Sequence, residues 1–240
     1  MKKKILILLP TLNEVHHISN LYIKISNLNI KADILFIDDG SIDGTWKEIM
    51  KIKKKNNNKV FTIKRGKRKG LGKAHKDGLN WAYNKNYNFL ITMDSDFAHD
   101  PKYIPALIKK IKKNDLVIGS RHLKRKSTPN WNPFRLFLNK AAYLTSYILF
   151  NHSYDSTNAF RCYNLRKIKR KFISLCKSND YDFFFTSLTI LNFYKYKISQ
   201  IPMVIKGRTA GNSKMKIKHM IKSIYMMFSL FFKIKFVYPK

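Results

Sequence analysis

Five short apolar runs punctuate the first half of the chain, and most of them end on polar or charged residues that a buried strand would not hold. "KILILLP", "ADILFIDDG", "VFTIKR", "NFLITMD" and "DLVIGSR" have strand length and little internal alternation, the pattern of strands covered on both faces. Between them, apolar residues recur at helical spacing. Ile18, Leu21, Tyr22, Ile25 and Leu28 form one stripe, and Trp46, Ile49 and Met50 a second that Ser41 or Asp43 can cap. Further helices are expected over about 73–84 and over "PKYIPALIKKIKK", where Pro101 suits a first turn. Strands alternating with helices restrict the fold to an α/β domain with a mostly parallel, twisted sheet and helices on both faces.

The second half reads differently. "PFRLFLNKAAYLTSYILF" is a long apolar helix, "DSTNAFRCYN" a polar loop or strand, and "KISQIPMVIKGRTAGNSKM" a strand leading into a Gly-containing loop. From Lys214 onward, lysines interleave with large apolar residues. At 240 residues the chain suits one domain, or one domain with a tail. The N-terminal "MKKKILILLPTLNE" mimics a signal peptide, but its apolar run is short and lacks a small-residue cleavage site. No uncharged stretch reaches the length of a spanning helix. Cys162 and Cys176 have no zinc-site spacing, and a reduced cytosolic chain is the simplest reading.

Charge sets a further constraint. With 48 Lys+Arg against 14 Asp+Glu, the formal net charge is +34, and an anionic partner is expected. Lys, Ile and Asn all run high together, so a base-composition bias toward A/T-rich codons is an equally good source of the excess. Five of the 14 acids gather where strands end: Glu14, Asp38 and Asp39, then Asp94 and Asp96. In open parallel sheets, ligands gather outside the carboxyl ends of the strands. Residues i and i+2 of a strand share a side, so Asp94 and Asp96 can converge on one cation. Hard oxygen ligands in small number suit Mg²⁺ or Mn²⁺, which would also take phosphate oxygens. Of the seven histidines, His16 and His17 read as surface helix residues, and His99 alone is near this edge.

The blocks "LPTLNE", "FIDDGSIDGT", "KGLGKAHKDGLNWA", "MDSDFAHDP" and "VIGSR" occur in this order, each where a strand meets the following segment. Together they resemble the family 2 glycosyltransferases of the GT-A (Rossmann-like) fold, specifically the dolichyl/polyprenyl-phosphate mannosyltransferase type. "DSTNAFRCYN" and "GRTAGNSKM" are similar to that type's D-x-T-x-x-F-R and R-x-x-G-x-S-K segments, so the resemblance spans roughly residues 4–216. It implies that Pro10, Leu12, Glu14, Ile37 and Asp39 hold the base and ribose of a sugar nucleotide. It places Asp94, Ser95 and Asp96 at the ribose, diphosphate and metal, and Arg121, Arg208 and Lys214 at phosphate and sugar. Arg135 and Ser213 are the candidates for an acceptor phosphate. The sequence departs from the type at three points. Position 12 is Leu where Tyr is usual, which would loosen stacking on the base. Position 98 is Ala where some relatives have a metal ligand, leaving water or His99 to complete the shell. Ala159 replaces a usual Gly.

The expected activity is inverting, metal-dependent transfer of a hexose, mannose from GDP-mannose first among the candidates, to dolichyl or polyprenyl phosphate. Departure of a nucleoside diphosphate needs its charge neutralised by a divalent ion and by Arg and Lys. An acceptor phosphate is already anionic at neutral pH and needs little help from a general base. The alternative donor is UDP-glucose or another sugar nucleotide, for a polyprenyl-phosphate glucose or a surface polysaccharide. Nucleic acid is not expected, because carboxylates at the strand ends would repel it. Residues 1–215 are expected to form the catalytic domain, and 216–240 an amphipathic helix lying in a membrane interface. Ile217, Met220, Ile221, Ile224 and Phe228 would face the bilayer, with Lys214, Lys218 and Lys222 on another face. Such a chain would sit peripherally on the cytoplasmic face of a membrane.

Overall fold

The computed structural model describes residues 4–129, 131, 133–205 and 217–236, with side chains of the last stretch described from 225 onward. Seven strands form one sheet in the order β3-β2-β1-β4-β6-β5-β7. They are β1 (Ile5–Thr11), β2 (Asp33–Asp38), β3 (Val60–Lys64), β4 (Phe89–Thr92), β5 (Leu116–Ser120), β6 (Arg161–Asn164) and β7 (Ile198–Pro202). The first four pair in parallel, as do β5 and β7, and β6 runs antiparallel between β4 and β5. The segment "DSTNAFRCYN", open between loop and strand from the sequence, therefore delivers a strand. Its reversed direction puts Arg161 opposite both Thr92 and Ile118, at the edge where the parallel strands end.

The helices are α1 (Val15–Ser26), α2 (Thr45–Lys55), α3 (Leu71–Asn84), α4 (Ile104–Ile111), α5 (Pro133–Phe150), α6 (Phe172–Leu175), α7 (Asp182–Phe193) and α8 (Ile217–Phe236). They cover both faces of the sheet, as β1 shows residue by residue. Leu6 and Leu8 pack with Leu79 and Ala82 of α3 and with Phe183 and Leu188 of α7. Ile7 and Leu9 pack with Ile18 and Leu21 of α1 and with Ile104 and Leu107 of α4. A strand sandwiched this way needs apolar residues at every position, which is why its sequence is a continuous run.

Two helices depart from full burial. In α5, Phe134, Phe137, Leu144, Tyr147 and Ile148 are exposed, Ile148 by 69%. In α8, Met227 and Leu230 are buried in the core beside α7, while Tyr225, Phe228, Phe232 and Phe236 are exposed. The two helices meet where Phe150 packs edge-to-face on Phe231. The proposed lysine face of the tail, and most of its proposed apolar face, lie outside the described side chains. Among the described residues, no helix is long and apolar enough to cross a membrane.

Candidate active site

The carboxyl ends of β1, β2, β4 and β5 share one edge of the sheet, and the turns leaving them are cross-tied. Asp38 is fully buried and accepts from the backbone N–H of Ser41 (3.1 Å) and the Ser41 hydroxyl (2.5 Å). Asn13, in the left-handed region at φ 52°, donates its N–H to Ser41 Oγ, and its side-chain oxygen accepts from Ile42 N–H. The Ser95 hydroxyl donates to the Pro10 carbonyl at 2.9 Å and is buried there. Ser95 thus ties the end of β4 to the end of β1 with its side chain.

Of the residues predicted for the base and ribose, Pro10 and Ile37 are buried, Glu14 is 8% exposed, and Leu12 is half-buried. Asp39 is anchored by the next loop. Its two oxygens accept from the N–H groups of Lys69 (2.9 Å) and Gly70 (3.1 Å), and Arg65 Nη1 lies 2.9 Å away. Those contacts start α3 beside the β2 turn, where "KGLGKAHKDG" was expected to begin a helix. Nothing in the sequence marked Arg65 beyond its place at the end of a strand.

Asp94 and Asp96 lie past β4, which stops at Thr92, so strand periodicity does not orient them. A tight turn does. Asp96 is 5% exposed, and its Oδ1 accepts from Ala98 N–H at 3.0 Å around Phe97, which has φ 61°. Asp94 keeps about a third of its side chain exposed. His99 is buried and stacks on Phe160, with Nδ1 accepting from the Asp94 N–H at 3.0 Å. With Nδ1 engaged by backbone and the ring in the core, His99 braces this turn, and its Nδ1 does not complete a metal shell.

No cluster of three or more His, Cys, Asp and Glu side chains among the described residues could hold an ion. A cation at Asp94 and Asp96 would need further oxygens from water and a bound phosphate. That donor set fits Mg²⁺ or Mn²⁺, which are commonly held by one or two carboxylates plus substrate phosphates. His17 corrects an expectation, since it is 6% exposed, edge-on to Phe97, with Nε2 3.9 Å from Glu14. It adds to the α1 stripe one turn before Leu21, a position that a stripe starting at Ile18 omits.

On the far side of β6 the edge turns cationic. Arg121 follows β5 and is gripped by Asp155, which accepts from its backbone N–H (2.9 Å), from Nε (2.8 Å) and from Nη2. Nη2 also donates to Thr157. Burial alone would raise the Asp155 carboxyl, but the Arg121 charge and hydrogen bonds outweigh it and hold the pKa below its ordinary value. Two guanidiniums lie over the Trp131 ring, Arg135 at 3.8 Å and Arg121 at 5.6 Å from its centre. Arg161 is fully buried and fastens the loop from inside, donating to the carbonyls of Ser156 and Asn158 and to Ser187 Oγ. Asp155 and Trp131 were absent from the predicted site. The only sequence signal for Asp155 is its place at the head of "DSTNAFR". Arg208, Ser213 and Lys214 lie outside the described residues.

Comparison with known proteins agrees with this architecture. The family model "Glycosyl transferase family 2" matches residues 6–174. The undecaprenyl-phosphate mannosyltransferase of Micrococcus luteus is 27% identical over 215 residues, covering 88% of this chain and 87% of that protein. The polyprenol monophosphomannose synthase of Mycolicibacterium smegmatis is also 27% identical, covering 89% and 81%. The dolichol-phosphate mannosyltransferase of Pyrococcus furiosus is 27% identical over 95% of this chain and 63% of its own length. Among solved structures, glucosyl-3-phosphoglycerate synthase from Mycobacterium tuberculosis, crystallised with Mn²⁺, UDP and phosphoglyceric acid, superimposes with a TM-score of 0.70. It shares 15% identity over 99% of this chain and 80% of its own, a likeness of fold. With its family model spanning most of the sheet and the acid-bearing turns, the chain belongs to glycosyl transferase family 2, and it is a glycosyltransferase.

Proposed function

We propose that this glycosyltransferase moves mannose from GDP-mannose onto a polyprenyl or dolichyl phosphate, inverting the anomeric centre. The observation that carries the reading is the division of the sheet edge. Acids follow β4, and an arginine pair stacked on Trp131 follows β5, two strand spacings or about 10 Å away. One side suits a cation-bound diphosphate and the other an anionic acceptor. Three relatives that share 27% identity are named for mannose transfer to polyprenyl-type phosphates, which supports the same acceptor class.

In this reading Pro10, Leu12, Glu14, Ile37 and Asp39 receive the nucleoside, with Ser95 fixing the wall between them and the acids. Asp94 and Asp96 would hold Mg²⁺ or Mn²⁺, which would supply charge neutralisation for a departing diphosphate. Arg121 and Arg135 hold the acceptor phosphate, whose oxygen attacks the anomeric carbon from the face opposite the diphosphate. Asp155 and Trp131 keep those guanidiniums oriented. Arg208, Ser213 and Lys214, in the sequence after β7, contribute at phosphate and sugar. Residues 1–215 form the catalytic unit, and 216–240 a tail that attaches it peripherally to the cytoplasmic face of a membrane. The exposed aromatic residues of α5 and α8 support that attachment, because each helix offers apolar surface to a bilayer interface.

Incubation with radiolabelled GDP-mannose or UDP-glucose and a prenyl phosphate tests the proposal. Label should enter the lipid phase from GDP-mannose, and excess GDP should suppress it more than UDP does. No lipid label from any donor overturns the activity. Label from UDP-glucose alone overturns the donor.

A further inference from the structure

A cavity of about 550 Å³ opens between the first half of α3 and the segment carrying α6. Lys73, Lys76, Arg170, Lys171 and Lys177 line it together with Asn80, and no carboxylate does. A general excess of lysine accounts for basic surface, but it does not account for how two of these cations are held. Arg170 donates from Nε to Asn80 Oδ1 and from Nη1 to Asn84 Oδ1, both at 2.8 Å. Neutral amides orient the guanidinium without cancelling its charge. Lys76 donates from Nζ to the Cys176 carbonyl at 3.2 Å, again a neutral acceptor. Burial, its largest influence, lowers the Lys76 pKa and outweighs the opposing pull of Cys176, Asp77 and Asp182. At the strand-end edge, by contrast, Arg65 pairs with Asp39 and Arg121 with Asp155.

We infer that this cavity is a second anion site, separate from the donor pocket, which takes a phosphate-bearing group of diphosphate size. Lys73 is paired with Asp77, but an arginine preoriented by neutral amides among further cations around a concave surface is an arrangement that recognises phosphate oxygens. The phosphate can belong to a soluble diphosphate or to the head group of an acidic lipid, and the two are separable.

The test uses the full chain with EDTA present, so that no divalent ion supports binding at Asp94 and Asp96. Calorimetry measures inorganic pyrophosphate, and sedimentation measures vesicles of phosphatidylcholine with and without phosphatidylglycerol. The Lys76→Gln/Arg170→Gln double variant is compared with Lys54→Gln/Lys55→Gln, which removes the same charge from α2 across the sheet. We expect at least a tenfold loss in the first pair and little change in the second. Loss confined to pyrophosphate assigns a soluble ligand, and loss confined to acidic vesicles assigns a lipid head group. Equal loss in both pairs, or none in either, overturns the site. Should the Arg170 variant fold poorly, Lys171→Gln/Lys177→Gln, at exposed positions, must show a several-fold loss of its own, or the proposal fails.

Discussion

Asp155 grips Arg121 at three points, through its backbone N–H, its Nε and its Nη2, from a side chain that is 1% exposed. The pair joins the end of β5 to the loop before β6, and Gln200 of β7 braces it by accepting from the Asp155 N–H at 2.8 Å. Asp155→Asn leaves Arg121 largely buried without its counter-charge. We expect a stability loss of about 3 kcal/mol and, from a misplaced guanidinium, a fall in kcat/KM of about 100-fold. Urea melts and steady-state kinetics measure the two. The Asp155 pKa is depressed in the folded state, so its contribution is complete at neutral pH and is lost as pH falls from about 4 through the folded value. The stability gap between wild type and variant should therefore close below about pH 4. A gap unchanged with acid would refute the assignment.

Asp96→Asn separates charge from structure at the other half of the edge. Asn keeps an acceptor for the Ala98 N–H, so the turn at Phe97 survives. Transfer should fall by at least about 100-fold, with an unchanged melting temperature. Stripping wild type with EDTA should mimic the variant, and Mn²⁺ or Mg²⁺ should restore only wild type. Full activity after stripping would remove the metal from the reading.

Gly72 lets α3 lie against the loop before α7. A Cβ there would sit 2.5 Å from the Asp180 carbonyl oxygen and 2.7 Å from Phe183 Cβ, neither of which is a flexible chain end. Gly72→Ala should destabilise the fold by about 1–3 kcal/mol through overpacking. A thermal melt at or above the wild-type temperature would contradict this close approach.

His75 should make the protein acid-sensitive. It is fully buried against Phe183 and Phe184, both ring nitrogens lack partners, and burial pushes its pKa down to about 3. The unfolded chain takes up this proton near pH 6.5, and the folded chain only near pH 3. Stability contributed by the neutral ring is complete above about pH 6.5 and falls by up to about 1.4 kcal/mol per unit as pH drops below it. His75→Phe should flatten urea-melt stability between pH 6.5 and 4.5. The remaining slope belongs partly to His152, which is pushed to about 4 by burial. An unaltered slope would show that His75 charges in the folded state.

Membrane attachment is best tested by point changes, because removing α8 would strip Met227 and Leu230 from the core. Phe134→Ser/Phe137→Ser on α5 and Phe232→Ser/Phe236→Ser on α8 alter only exposed rings. Each pair should reduce sedimentation with acidic vesicles several-fold at unchanged stability. Undiminished sedimentation in both would place the bilayer contact elsewhere.

The strands, the helices of the first half and the edge carrying Asp38, Asp39, Asp94 and Asp96 were legible in the sequence. Each follows from local rules, since burial on both faces demands unbroken apolar runs and parallel strands must end on one side. The turn chemistry was only half legible. "FIDDGS" announced acids at a strand end, but not that Asp38 would close its own turn while Asp39 anchored a loop 30 residues on. The antiparallel insertion of β6, the burial of His17 and the grip of Asp155 on Arg121 were decided by tertiary structure. Asp155 and Arg121 are 34 residues apart, and their contact depends on β6 pairing with both β4 and β5. No periodicity within either segment encodes that pairing, because the energy that selects it comes from burying the apolar strand faces, which must also offset the cost of burying Arg161.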